Sequence, residues 1–179
     1  MQSNLGFRLM ALEFKLRDWL KPPLRILKDA GVKPGMSVLD FGCGPGGFSL
    51  AAGRRVGPEG RVYAVDINPL ARNSVRQAAE KHGLKNIQTI LGDKLGEVPE
   101  ASVDIALLYD VLHGLPEPRP VLVQLHRVLK PAGAISVSDH HLQDSELQAL
   151  VSEGGFFQPA GRSRRTWQFR KSPASGEPK

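Results

Sequence analysis

Cysteine is almost missing from the chain: Cys43 stands alone among 179 residues. That excludes an intrachain disulfide framework and any multi-cysteine metal centre built within the chain. No apolar run approaches the length of a membrane span, and Arg8, Glu13 and Lys15 interrupt what would be the hydrophobic stretch of a signal peptide. A cytoplasmic location is the default expectation. An excess of cations is missing from the middle of the chain despite a net charge of +6. Residues 34–159 carry eleven Lys/Arg against fourteen acids, whereas 1–33 carry seven against three and 160–179 six against one. A core that holds a cationic ligand, with ends that meet an anionic partner, would distribute charge in this way, and so would a solvated helix face followed by a loose basic tail.

Glycine, by contrast, is plentiful, and four glycines fall within six positions of one stretch. Val38 to Gly47 reads VLDFGCGPGG. Its β-like opening, the glycines and the helical pattern behind them predict a strand, a tight turn and a helix. Glycine there lets the backbone turn sharply and lets a ligand approach without a Cβ in the way. A helix N-terminus behind such a turn presents unpaired N–H groups to a carboxylate or phosphate. Gly42, Gly44 and Gly47 also satisfy G-x-G-x-x-G, a pattern shared by dinucleotide binders and others. Asp40 sharpens the reading, because a carboxylate at the strand end suits a ligand with nearby positive charge and sits poorly beside a pyrophosphate.

The remaining chain alternates. Leu5, Leu9, Leu12, Leu16 and Leu20 recur at helical spacing, predicting an amphipathic helix stopped at Pro22-Pro23, and a second short helix over 24–30 ends at Gly31. Downstream the pattern predicts helices over 48–56, 69–82, 118–129 and 143–151, interleaved with strands over 61–65, 86–91, 103–109 and 134–138. Strands alternating with helices of this length need crossover connections, hence an α/β fold with a mainly parallel sheet covered on both faces. Segments 156–157 and 166–169, around the basic turn 162–165, read as a hairpin of two further strands. The expected organisation is one domain over 1–171, with a helical segment over 1–33 and the α/β core over 34–171. Residues 172–179, rich in Pro, Ser and Gly, are expected to be a disordered tail.

Five acids fall into a pattern. Asp40, Asp66, Asp93, Asp110 and Asp139 each lie at or just past the end of a predicted parallel strand, the edge where open α/β sheets bind ligands. A single acid in such a place serves as a helix cap or turn residue. Five in succession, the first beside the glycine loop, point to one ligand.

With these residues in order, VLDFGCGPGG, VYAVDINP at 62–69, LGD at 91–93, DIALLYDVLHGL at 104–115 and LHRVLKPAGAISVSD at 125–139, the chain resembles the class I S-adenosylmethionine-dependent methyltransferases. Within them it is similar to the small-molecule branch that includes the quinone-biosynthesis C-methyltransferases. The resemblance covers residues 34–158 and implies a Rossmann-like three-layer sandwich whose seven-stranded sheet ends in an antiparallel hairpin. It also implies S-adenosylmethionine as cofactor. Gly42, Cys43 and Gly44 would lie against its methionine part, with Asp40 near the ammonium group. Asp66 would accept from both ribose hydroxyls and Ile67 would pack on the adenine. Asp93 would accept from the adenine amino group, with Leu91 and Gly92 lining the ring, and Tyr109 and Asp110 would border the methionine end and the acceptor pocket. Ala132 departs from the family, which has the first of two glycines there, and this questions the detail of that turn.

Methyl transfer from a sulfonium asks chiefly for alignment and exclusion of water, with a general base only where the acceptor must lose a proton. His113, His140 and His141 stand at the ligand edge, and histidine suits proton transfer near neutral pH. His113 ranks first as the base or acceptor-orienting group, with His140 next. A metal on His140, His141 and Asp139 is less favoured, since adjacent residues seldom aim both rings at one ion. Cys43 lies inside the glycine loop, which argues against pyrimidine C5 methylation, and no Asn-Pro-Pro-aromatic run follows the fourth strand as in amino-group nucleobase methyltransferases. The expected acceptor is therefore a small molecule, anionic or lipid-like, with nucleic acid the less favoured partner. Two rivals stay open at this point: a nicotinamide-dependent Rossmann oxidoreductase, and an RNA-modifying methyltransferase that uses the basic termini.

Overall fold

Short β-branched runs separated by amphipathic helices set the architecture. The computed structural model describes Gly6, residues 23–92 and residues 95–173. Of the amphipathic helix expected over 5–20 only Gly6 is described, and Asp93 and residues 174–179 lie outside the described residues. The elements run α1 (Pro23–Asp29), β1 (Ser37–Phe41), α2 (Gly47–Val56), β2 (Arg61–Asp66), α3 (Pro69–Lys81), β3 (Ile87–Leu91) and β4 (Val103–Tyr109), then α4 (Pro118–Val128), β5 (Leu129–Ser138), α5 (Asp144–Ser152), β6 (Phe157–Arg162) and β7 (Trp167–Lys171).

The strands form one sheet in the order β3-β2-β1-β4-β5-β7-β6. The first five pair in parallel, and β7 runs antiparallel to both β5 and β6. The order reverses direction between β1 and β4, which opens a crevice at the C-terminal ends of those two strands. Strand periodicity divides the core between the two faces. Val38, Val62, Ile105 and Leu107 meet Leu27 of α1 and Ala52 and Val56 of α2, whereas Leu39, Tyr63, Ala106 and Leu108 meet Leu122 and Leu125 of α4 and Leu147 of α5. The sheet is thus sandwiched between two helical layers, as expected.

Three details differ from the sequence reading. β5 starts at Leu129, not Ala134, because Leu129 pairs with Val103 before the register shifts to Ile105 opposite Ala134. The intervening Lys130-Pro131-Ala132-Gly133 forms an irregularity in the ladder, and the glycine it needs is Gly133, where a Cβ would lie 2.9 Å from Lys130 O. Ala132 is exposed and keeps a negative φ, so a side chain is tolerated there. In the hairpin, β6 extends through Pro159 and Gly161 to Arg162, which an edge strand permits because the proline nitrogen needs no partner. The turn narrows to Ser163–Thr166. Finally, Ser172, assigned by composition to the tail, is buried: its N–H donates to Phe156 O at 2.9 Å and its carbonyl accepts from His126 Nε2 at 2.8 Å.

Asp104 ties three strands at the end of the sheet away from the crevice. It accepts from Ser37 N–H at 2.8 Å and from Lys130 Nζ at 2.7 Å. Both partners are partly solvated, so Asp104→Ala is expected to cost about 1–2 kcal/mol of stability. The loss would be read as a lower urea midpoint at unchanged m-value, and an unaltered midpoint would show that the tie contributes nothing.

Candidate active site

Alternation along β1 points Asp40 to the same face as Val38, towards α2. There its carboxylate is buried and accepts from Ser49 Oγ at 2.6 Å. The glycine loop folds back over the end of β2: the N–H groups of Gly42 and Cys43 both donate to Val65 O, at 2.9 and 3.0 Å. Gly44 N–H donates to Asp66 Oδ2 and Asn68 N–H to Asp66 Oδ1, each at 2.8 Å, so a single carboxylate pins the loop and the start of α3. Glycine at 42 is required by its backbone, φ +77°, and by packing, since a Cβ would lie 2.7 Å from Val111 Cγ2. The space on the Cβ side of Gly42 is filled by Val111. Burial, reinforced by the charges of Asp40 and Asp66, pushes the Cys43 thiol far above the usual thiol range and leaves it inert.

At the same rim, Ile67 is 74% exposed and Leu91 44% exposed, two of the four large apolar side chains left in water among the described residues. The register pairs Asp66 with Leu91, so both apolar groups flank one carboxylate. Gly92, at φ +121°, follows and donates its N–H to Asp66 O at 2.9 Å. Folding gains nothing from this exposure, whereas a flat apolar ring seated between Ile67 and Leu91 would be well served by it.

On the other side of the crevice, the Tyr109 ring packs edge-on to Phe48 at 4.6 Å, and its hydroxyl is hydrogen-bonded to Ser136 Oγ at 2.8 Å. Burial raises that hydroxyl well above its ordinary range, so it stays neutral. Asp40 lies between the two halves of the site, close enough for its charge to act on both Cys43 and Tyr109. Asp110 adopts φ +53°, an uncommon conformation for a residue with a side chain, and accepts from His140 N–H at 3.2 Å and His140 Nδ1 at 2.7 Å.

His113 sits on the short 3₁₀ turn Leu112–Gly114. Its N–H and its Nδ1 both reach Asp139 Oδ2, at 3.1 and 2.9 Å, and His141 N–H donates to Asp139 Oδ1 at 3.1 Å. The Asp139 side chain is fully buried, while that of His113 is 35% exposed. Burial acts to raise the Asp139 carboxyl, but the His113 Nδ1 bond and the two backbone N–H bonds outweigh it and hold the group below its ordinary value. An ionised Asp139 keeps the proton on Nδ1 and leaves the lone pair of His113 on Nε2. The His141 ring lies 4.1 Å from that of His113 and 4.0 Å from that of His140, so the three imidazoles form a row. Among the described residues, no group of His, Cys, Asp and Glu is arranged to hold a metal ion.

Because folding depresses the Asp139 carboxyl, its stabilisation is present above the unfolded value and is lost as pH falls through the lower native value. Below the ordinary aspartate value of 3.8, the native chain should therefore lose urea resistance more steeply than Asp139→Asn. Parallel pH profiles of the two would contradict this.

A cleft of about 580 Å³ opens between these groups and the hairpin, floored by Phe48, Tyr109, Asp110 and His140 and walled by Arg164, Arg165 and Trp167. A more open groove of about 630 Å³ lies at the opposite edge of the sheet, near Arg61 and Asn86, and contains none of the residues singled out in the sequence. Tyr109, Asp110 and His140 line this cleft; Asp40 and His113 are not among its lining residues, and Asp66, Ile67 and Gly92 occupy the neighbouring rim. The sequence reading missed the pairing of Asp139 with His113 and of Ser49 with Asp40. The available signal for the first was strand order, since β4 and β5 are neighbours and their ends must meet.

Residues 32–169 match the family model described as a methyltransferase domain. Over 112 residues the chain is 35% identical to an arsenite methyltransferase of Halobacterium salinarum, covering 62% of this chain and 28% of that protein. Over 118 residues it is 31% identical to a demethylmenaquinone methyltransferase of Geobacillus stearothermophilus, covering 65% of this chain and 50% of that protein. The chain thus spans half or less of the length of these curated relatives. Among solved structures, it is similar to a SAM dependent methyltransferase from Aquifex aeolicus, with TM-score 0.74 and 28% identity over 86% of this chain and 89% of the other. With the match running from before β1 into β7, and with the sheet order that the crevice requires, the chain belongs to the methyltransferase-domain family and has the α/β fold of the S-adenosylmethionine-dependent enzymes.

Proposed function

We propose that the chain is a cytoplasmic enzyme that transfers the methyl group of S-adenosylmethionine to a small-molecule acceptor, anionic or lipid-like, bound in the cleft above Tyr109. The observation that carries this reading is the Asp66 carboxylate, tied to Gly44 of the glycine loop and flanked by exposed Ile67 and Leu91. The residues fit the cofactor: a carboxylate with lone pairs remaining for two ribose hydroxyls, apolar side chains for the adenine faces, and a buried negative charge at Asp40 for the cationic end. Asp93, past β3, takes the adenine amino group, and Gly92 lets its backbone approach the ring. Gly42, Cys43 and Gly44 supply backbone to the methionine part, and Tyr109 and Asp110 border it. When bound, the cofactor supplies an electrophilic methyl group on a sulfonium.

On the acceptor's side, His113 Nε2 would take the proton that methylation releases, and Asp139 would stabilise the resulting imidazolium. His140, held by Asp110, orients the acceptor. The small-molecule reading draws support from the arsenite and demethylmenaquinone methyltransferases to which the chain is similar. Calorimetry with S-adenosylmethionine, S-adenosylhomocysteine and a nicotinamide dinucleotide tests the cofactor: saturable binding of the first two only is expected, and binding of the third alone would replace the reading with an oxidoreductase. Methyl transfer from labelled cofactor into fractionated cell extract then tests the acceptor, with label expected among small molecules. Label confined to RNA would overturn that part.

A further inference from the structure

The cleft is amphipathic, and its three carboxylates and three guanidiniums are not paired one to one. Each carboxylate in it already has a partner: Asp110 has His140, Asp139 has His113 and His141, and Asp144 has Arg162 as well as Trp167 Nε1 at 2.9 Å. Arg162 is spent twice over, since its guanidinium also lies over the Trp167 ring, 5.3 Å from the centroid. Arg164 and Arg165 reach the same cleft and make no ion pair or side-chain hydrogen bond among the described residues. Both are exposed, and the backbone that carries them is closed. Ser163 N–H donates to Thr166 O at 2.8 Å and Thr166 N–H to Ser163 Oγ at 3.1 Å, which closes the turn that carries both arginines.

We propose that Arg164 and Arg165 form an anion clamp at the mouth of the cleft, selecting acceptors that carry a phosphate or carboxylate on an apolar body. The inference rests on the methyl-transfer reading and specifies its acceptor. Two guanidiniums on a closed turn offer planar, multidentate donors to an oxyanion, while Phe48, Tyr109 and Trp167 provide apolar wall for the rest of the molecule. An anion bound there also offsets the positive charge that a sulfonium brings to the crevice.

The test uses 1-naphthyl phosphate and 1-naphthoate as charged probes and 1-naphthol as the neutral one. Each is titrated calorimetrically into the full chain, with and without saturating S-adenosylhomocysteine. Both anions are expected to bind at least tenfold more tightly than naphthol. The double variant Arg164→Ser/Arg165→Ser should lose that preference while its affinity for S-adenosylhomocysteine and for naphthol stays unchanged. Equal or absent binding of all three probes, or a preference retained by the variant, overturns the clamp. A short oligouridylate that binds more tightly than naphthyl phosphate through the same arginines would assign the anion to a nucleic-acid backbone and also overturn it. Failure to bind S-adenosylhomocysteine counts against the methyl-transfer reading alone, since the probe titrations without it still report on the arginines.

Discussion

Asp66→Ala is expected to weaken S-adenosylhomocysteine binding about 100-fold or more. Each hydrogen bond to a carboxylate contributes about 1.5–3 kcal/mol, and removing the side chain would delete both of the proposed ribose bonds, which converts to at least two decades in affinity. A further loss comes from within the protein. The carboxylate also receives the N–H groups of Gly44 and Asn68, so its removal loosens the loop before any ligand arrives. Asp66→Asn keeps an acceptor oxygen but loses the charge, and should fall between the two. Calorimetry on variants whose melting transitions remain cooperative makes the measurement. A folded Asp66→Ala protein that binds within threefold of the native chain would remove Asp66 from the cofactor site and with it the main support for the assignment.

His113→Ala is expected to lower kcat by about 10²–10⁴ with S-adenosylhomocysteine affinity unchanged, the range typical of a positioned general base. Asp139→Asn should lose a large part of the same factor by a different route. In the proposed mechanism Asp139, whose side chain is fully buried, would act through His113 by fixing its tautomer, so it is a positioning residue, and its replacement should lower kcat with KM unchanged. Label transfer into the responsive extract fraction, followed against acceptor concentration, measures both losses. Full activity in folded His113→Ala would leave alignment alone as the source of catalysis and return His113 to a turn-stabilising role.

Much of the fold was legible because its signals are local. Apolar periodicity of two or 3.6, with proline and glycine at the breaks, located β1 to β4 and their helices to within a residue or two. That Asp40 shares a face with Val38 and meets α2 was decided by packing, which the sequence reading did not anticipate. Where the reading slipped, a non-local contact had decided the matter. Leu129 became strand because Val103 lies opposite it, and Ser172 left the tail because His126 and Phe156 were within reach to satisfy its backbone.

The candidate site divides along the same line. That acids end the parallel strands and that a glycine-rich turn follows β1 is written in the order of residues, since strand polarity alone sends those positions to one edge of a parallel sheet. Tertiary structure alone decided which acids have partners. His113 and Asp139 are 26 residues apart and meet because β4 and β5 are neighbours, and Val111 fills the space at Gly42 because β1 and β4 adjoin at the reversal of strand order. The two free arginines of the cleft are distinguished from Arg162 by the nearness of Asp144 and the Trp167 ring to the latter. Local pattern specifies which groups stand at the rim; Coulomb and hydrogen-bond energies, which depend on distance through space, specify which of them remain available to a ligand.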